Sequence, residues 1–327
     1  MSIFYNIVQS VLVAMTPLLV VALGGMFSER SGVVNIALEG IMIMGAFATA
    51  VVLVNFINVI PMQYLFVLAI LVAGIAGAIF SLMHAYAAVS MQANQVISGT
   101  ALNLLIVPLA ATLIKAVRRL DSTWIEWGGK SFIIREVPIL SNIPIIGDIF
   151  FKNIFLSFYI ALIILFVSYY VLFKTKFGLR LRACGENPHA ADSLGINIYK
   201  MRYAGVVISG FLAGIGGSIF LLTINATSFR ADSMAVSGFG FLALAVLIFG
   251  NWNPRRIFFA ALFFAFFRTV DANFTILNGL IDNALPIVYR NLFKMVPYVA
   301  TLVLLVFTSK RSQAPKAVGK VYEQGER

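Results

Sequence analysis

"GLRLRACGENPHAADSLGINIYKMRYAGVVISGFLAGIGGSIF", residues 178–220, holds the two features whose reading decides the fold. From Tyr203 onward it is an uncharged apolar run of membrane length, whereas the part before it is polar and basic. Within that polar part, residues 184–196 spell a very short helix with both ends marked. Asn187 suits the N-cap, Pro188 the first helical position, and Gly195 the left-handed residue just past the end. About seven residues lie between the caps, on the order of 10 Å of helix, too little to be stable alone in water. A capped two-turn helix is therefore expected in a loop between spans, and it needs a partner surface.

Similar greasy runs recur on both sides of this stretch. The 327-residue chain is 61% hydrophobic and 11% charged, with a mean hydropathy of +0.95. A soluble domain carries roughly 25% charged residues. Apolar runs of about 20 residues each suffice to cross a hydrocarbon core of about 30 Å. They are continuous rather than alternating with period two, which excludes a transmembrane β-barrel. The expected fold is an all-α, polytopic transmembrane helical bundle of about nine spans. These lie near 3–25, 36–58, 64–89, 95–115, 153–173, 203–224, 234–250, 257–276 and 292–309, and re-entrant pieces would change the count. The first run, Ile3 to Gly25, lacks a basic leader and is long for a signal peptide, so it reads as a retained span.

The net charge of +11 is gathered at span ends instead of forming a stripe, so nucleic acid is not an expected partner. Lys174, Lys176, Arg180, Arg182, Lys200 and Arg202 crowd one loop. Arg255 and Arg256 mark another, and Lys310, Arg311, Lys316, Lys320 and Arg327 the tail. If the spans simply alternate, all three segments fall on one side, which the positive-inside rule makes the cytoplasm. The reading is a membrane domain over 1–309, with a cytoplasmic loop 174–202 and an external segment 116–152, followed by a cytoplasmic basic tail 310–327. The N-terminus is then external. Segment 116–152 strains this assignment, since it holds Arg118, Arg119, Lys130, Arg135 and Lys152. Reversing the orientation would expose three basic segments to save one. Trp124, Trp127 and Trp252 fall near expected interfaces.

No catalytic or metal-binding constellation emerges. "WIEWGGKS", residues 124–131, ends like a phosphate-binding loop, but Trp124 occupies the position that needs the first glycine. His84 and His189 lie in distant segments and read as a helix-end imidazole and a loop residue. The single Cys184 excludes an intrachain disulfide and a Cys-rich metal site. Gly210, Gly214 and Ser218 recur every four residues, and Gly74 and Ala78 repeat the spacing, which suits close helix packing in lipid.

Two stretches place polar groups within apolar runs. "GGMFSERSGVVNIALEG", residues 24–40, brings Asn35 and Glu39 onto one helix face, and an ionised group at membrane depth needs a cavity or a partner. "MQANQVISGTALNLL", residues 91–105, puts Asn94, Gln95, Ser98 and Asn103 at the entry to the fourth span. These six are candidate translocation-path residues; mutual hydrogen bonding within the bundle is the alternative. Arg268 and Asp271, three apart, are expected to pair.

Together these motifs resemble bacterial ABC-importer permeases of the branched-chain amino acid and ribose type. Residues 178–220 resemble the cytoplasmic loop and following span of that family. "GGMFSERSGVVNIALEGIMIMGAF" (24–47) and "ANQVISGTALNLL" (93–105) look closest to its nucleoside branch, often labelled simple-sugar permeases. The resemblance covers essentially the whole chain, although the extra N-terminal span common in ribose-type members is missing from this reading. It implies the ABC-importer permease fold and a multi-pass subunit of the bacterial cell membrane that brings in nucleosides. A simple sugar such as ribose is the alternative cargo, and an ion-gradient-driven secondary transporter using Glu39 the alternative class. It further implies that Glu186, Asn187, Pro188, Ala190, Ala191 and Gly195 form a coupling helix docking on an ATPase subunit. Other implied partners are a second, related permease chain in a heterodimer and an external substrate-binding lipoprotein. ATP and magnesium would sit on the ATPase, with no cofactor on this chain.

Overall fold

The computed structural model describes residues 2–118, 123–128, 130–138, 141, 143, 146–232, 235–273, 292, 295, 299 and 314–323. Among these, α9 (Ile198–Thr223) is the central helix. Against it pack α1 (Ser2–Arg30), α2 (Leu38–Phe56) and α3 (Met62–Ala85), the last extended by a π-helical turn over Tyr86–Ser90. The small-residue spacing explains this arrangement. A Cβ on Gly214 would strike the Ala73 carbonyl of α3, one on Gly210 the Ser81 side chain, and one on Gly217 the Met42 carbonyl of α2. Close backbone approach replaces the hydrophobic drive that lipid cannot supply between helices.

Two long helices stand at the periphery. α4 (Gln95–Arg118) and α6 (Leu156–Lys174) expose Ile97, Leu104, Ile163 and Phe166. Only 28% of their apolar windows is buried, against 83% for α9, so these are the faces turned to lipid or another subunit.

Among the described residues, six helices are long and apolar enough to cross a membrane: α1, α2, α3 with its π turn, α4, α6 and α9. Of the nine expected runs, three are not among these six. Run 234–250 contributes α10 (Phe239–Phe249), whose 11 residues reach only about 16 Å, half a bilayer core. The residues before it are apolar enough to extend the run, but Ser237 (φ 51°) and Gly238 (φ 76°) turn the chain. α11 (Pro254–Ala272) has the length but also four charged residues, Arg255, Arg256, Arg268 and Asp271. The ninth run, 292–309, lies outside the described residues apart from three isolated positions.

The bundle has two differently built ends. Where α1 begins, short elements fill segment 116–155: β1 (Trp124–Glu126), β2 (Ile134–Glu136), α5 (Ile146–Phe150) and β3 (Lys152–Ile154). β1 pairs antiparallel with β4 (Ser228–Arg230), with Ile125 opposite Phe229, and β2 with β3, with Ile134 opposite Ile154. Gln9 ties α1 to this layer by donating to the carbonyls of Asp148 and Lys152 at 2.8 and 2.9 Å. At the other end lie α7 (Lys176–Glu186), α8 (Pro188–Ser193), the α10–α11 turn and residues 314–323. Trp252 locks that turn to the end of α1, its indole donating to Glu29 and its carbonyl accepting from Arg30 at 3.0 Å. The basic loop, the Arg255–Arg256 turn and the described part of the tail thus share one end, and segment 116–152 occupies the other.

Candidate functional site

α8 is built as its sequence spells it. Asn187 Oδ1 accepts the Ala190 N–H at 3.1 Å, Pro188 takes the first helical position, and Gly195 has φ 76°. The exit is closed by Gly195 N–H to Asp192 O at 2.8 Å and Ile196 N–H to Ala191 O at 3.1 Å. The helix is six residues long, about 9 Å. Pro188 and Ala191 are buried inward, whereas His189, Ala190, Ser193 and Leu194 are exposed, Leu194 at 81%. The two alanines therefore face opposite ways, and Ala190 is the one open to a partner. Glu186, just before the helix, lies 3.8 Å from Arg30 at the end of α1, and its carboxylate is half exposed, so this ion pair adds little stability.

The connection between α1 and α2 interrupts the helical backbone between two apolar helices. Residues 33–35 belong to no helix or strand, and α2 starts only at Leu38. Non-helical backbone in lipid requires protein partners for its polar groups. Gln95 Oε1 accepts the Val34 N–H at 2.7 Å, and His84 Nε2 meets the Val34 carbonyl at 2.8 Å. A carbonyl only accepts, so Nε2 carries a proton, and Nδ1 hydrogen-bonds with Ser98 Oγ, 2.7 Å away. Asn103 accepts from Gly40 N–H at 2.7 Å and donates to Ile36 O at 2.9 Å. Asn35 Nδ2 donates to Ser209 Oγ on α9 at 2.9 Å. Asn94 stands apart: it is exposed and caps α4 by accepting from Val96 N–H at 2.9 Å.

Glu39 is committed elsewhere. Its carboxylate accepts the N–H groups of Gly238, Gly240 and Phe241 at 3.0, 2.6 and 3.3 Å, so it caps the half-length helix α10. The first N–H groups of a helix have no partner of their own, and an anion at that end is favoured. The structure thus brings Asn35, Gln95, Ser98 and Asn103 together around one break, and sets Glu39 at the neighbouring helix start.

Three features were missed by sequence reasoning. His84 is fully buried and structural at Val34, fifty residues away, with no local signal. Arg268 and Asp271 do not pair: Arg268 donates to Ser237 O at 3.3 Å and lies over the Phe239 ring at 5.3 Å. The start of α10, which the apolar run concealed, draws the guanidinium away. Asp271 instead lines a cavity of about 950 Å³ near the α1 N-terminal end, between α1, α9, α10 and α11. Asn6, Gln9, Thr223 and Thr269 line it too, alongside Phe155, Phe220 and Phe239. Thr269 Oγ1 and Asp271 Oδ1 are buried with no hydrogen-bond partner among the described residues. Among the described residues no group of acidic, histidine and cysteine side chains is arranged to hold a metal ion.

Comparison with known proteins places this geometry. The family model described as branched-chain amino acid transport system / permease component matches residues 7–305. Guanosine ABC transporter permease protein NupQ of Bacillus subtilis (strain 168) is 42% identical over 321 residues, covering 98% of this chain and 97% of that protein. Nucleoside ABC transporter permease protein NupC of Lactococcus lactis subsp. cremoris (strain MG1363) is 40% identical, covering 97% and 96%. A putative glucose ABC transporter permease protein, TsgC13 of Haloferax volcanii, is 28% identical, covering 96% and 94%. No solved structure matches. A match over nearly all of a helical, multi-span chain leaves one conclusion: this protein belongs to the branched-chain amino acid transport system permease family and is a membrane permease component of an ABC transporter.

Proposed function

We propose that the chain is the permease subunit of an ATP-driven nucleoside importer in a bacterial cell membrane. The observation that carries the mechanism is α8, a helix capped at both ends, held inward by Pro188 and Ala191 and open outward at Ala190 and Leu194. An ATPase subunit holding ATP and magnesium seats against that open face, and the basic α8 end faces the cytoplasm. Closure of the ATPase moves α8, and α7 passes the displacement to the end of α1, which packs on α9, α10 and α11. The bundle then opens toward the opposite, external end, where a substrate-binding lipoprotein delivers cargo. A second, related permease chain completes the pathway against the exposed faces.

The external cavity suits such cargo in kind. Its phenylalanines offer apolar surface to a base, and Asn6, Gln9, Thr223 and Asp271 line it with polar side chains suited to ribose hydroxyls. Among the earlier path candidates, Asn35 Oδ1 and Gln95 Nε2 are buried without a hydrogen-bond partner among the described residues. An ion-coupled relay through Glu39 is disfavoured because the carboxylate is already shared among three backbone N–H groups.

Uptake of labelled guanosine by cells expressing the complete transporter tests the reading. ATP depletion should stop uptake and collapse of ion gradients should not, and excess unlabelled nucleoside should compete where glucose or ribose does not. Ala190→Trp should abolish capture of the ATPase subunit, since a close-packed contact has no spare volume. Uptake that survives ATP depletion, or full ATPase capture by Ala190→Trp, would refute it.

A further inference from the structure

The tail read from sequence as a basic topology signal is built into the α8 end. Residues 315–320 form a tight turn, with Val318 N–H to Pro315 O at 3.0 Å, Lys320 N–H to Ala317 O at 3.2 Å, and Gly319 at φ 76°. From this turn the chain reaches four other elements. Ala317 N–H donates to Gly185 O at 2.8 Å, at the end of α7, and Gly319 N–H to Gly32 O at 3.1 Å, in the turn after α1. Arg202 of α9 donates to Lys320 O at 3.1 Å, and Gln92, ahead of α4, to Tyr322 O at 3.3 Å.

Tyr322 completes the contact. It is 4% exposed and shares a buried cluster with Cys184, Ala191 and Ile198. Its ring lies 5.3 Å from His189 of α8 and 5.8 Å from Tyr199 of α9. A surface tail serving only as a charge marker has no reason to bury an aromatic ring under a functional helix. A six-residue helix that buries only Pro188 and Ala191 has little of its own to hold it in place.

We propose that residues 314–323 are a strap that fixes α8 to the α1–α2 turn and to the start of α4, with Tyr322 as its positioning residue. A push on α8 is then delivered to the helix break at 33–35 and to the foot of α4 together, instead of being absorbed by a loose helix. This rests on the reading of α8 as the ATPase contact.

Cys184 reports the strap without involving the ATPase. Its thiol is buried, and burial outweighs the nearby Arg202 cation to push it up to about 11. At pH 8 only about 0.1% is then thiolate, so maleimide labelling of the assembled transporter should be slow. Tyr322→Ala, and separately truncation after Gln313, should speed that labelling at least tenfold. Both should keep ATPase capture while lowering nucleoside transported per ATP hydrolysed about fivefold. Tyr322→Phe, which keeps the ring, should restore most of both. Unchanged labelling, or faster labelling with unchanged transport per ATP, overturns the strap. Failure of the underlying reading appears separately, as full ATPase capture by Ala190→Trp with the strap intact, and it removes the coupling role as well.

Discussion

At the helix break after α1, each polar group of Val34, Ile36 and Gly40 named above is met by a side chain from α3 or α4. At the cavity of the opposite end, Thr269 Oγ1 and Asp271 Oδ1 lie buried with no partner among the described residues. Both regions put polar atoms into an apolar bundle, and an unpaired buried polar group costs roughly 1–3 kcal/mol. The first spends most of its polarity on holding an irregular backbone, with Asn35 Oδ1 and Gln95 Nε2 left over; the second, lined also by Asn6, Gln9 and Thr223, leaves its polarity unspent. Polar residues at membrane depth in this permease therefore divide by whether the chain itself has used them.

The largest expected effect tests the first class at Glu39. Glu39→Leu leaves the N–H groups of Gly238, Gly240 and Phe241 without their acceptor and should cost on the order of 3 kcal/mol. It should appear in detergent as a lowered Tm and lost monodisperse protein, with a smaller loss for Glu39→Gln. A Glu39→Leu protein of normal stability that fails only in uptake would move Glu39 into the second class. Next come Asn103→Leu and His84→Ala, each expected to lower stability by about 1–3 kcal/mol, because each bridges a peptide group of the 34–40 segment to another helix. Thermal unfolding followed by size-exclusion profile would show it.

The smallest stability effect should come from the cavity. Thr269→Val and Asp271→Asn change side chains whose Oγ1 and Oδ1 bond nothing among the described residues, so Tm should stay within the equivalent of about 0.5 kcal/mol. Half-saturation for nucleoside uptake should nevertheless rise about tenfold. Destabilisation matching that of Asn103→Leu would erase the contrast between the two ends.

The capped helix was legible because caps are local: Asn187, Pro188 and Gly195 each act through their own backbone or a residue a few positions away. The small-residue faces were legible for a related reason, since helical spacing places Gly210 and Gly214 on one side. The span count was not. Hydropathy sums residues along a run, and the turn at Ser237 and Gly238 interrupts the run without changing its composition. The roles of Glu39 and His84 were equally hidden, because their partners lie about 200 and 50 residues away.

By itself the amino-acid sequence determined that this chain lives in a membrane, that it is helical, where its basic segments lie and how α8 begins and ends. Those properties depend on composition and on contacts within a helical turn or two. Only the tertiary structure decided which intramembrane polar atoms are used up, that Ala190 faces out while Ala191 faces in, and that the tail returns to bury Tyr322 beside α8. These follow from the close approach of helices that α9's glycines permit, and such contacts join residues too far apart in the chain for any local pattern to announce them.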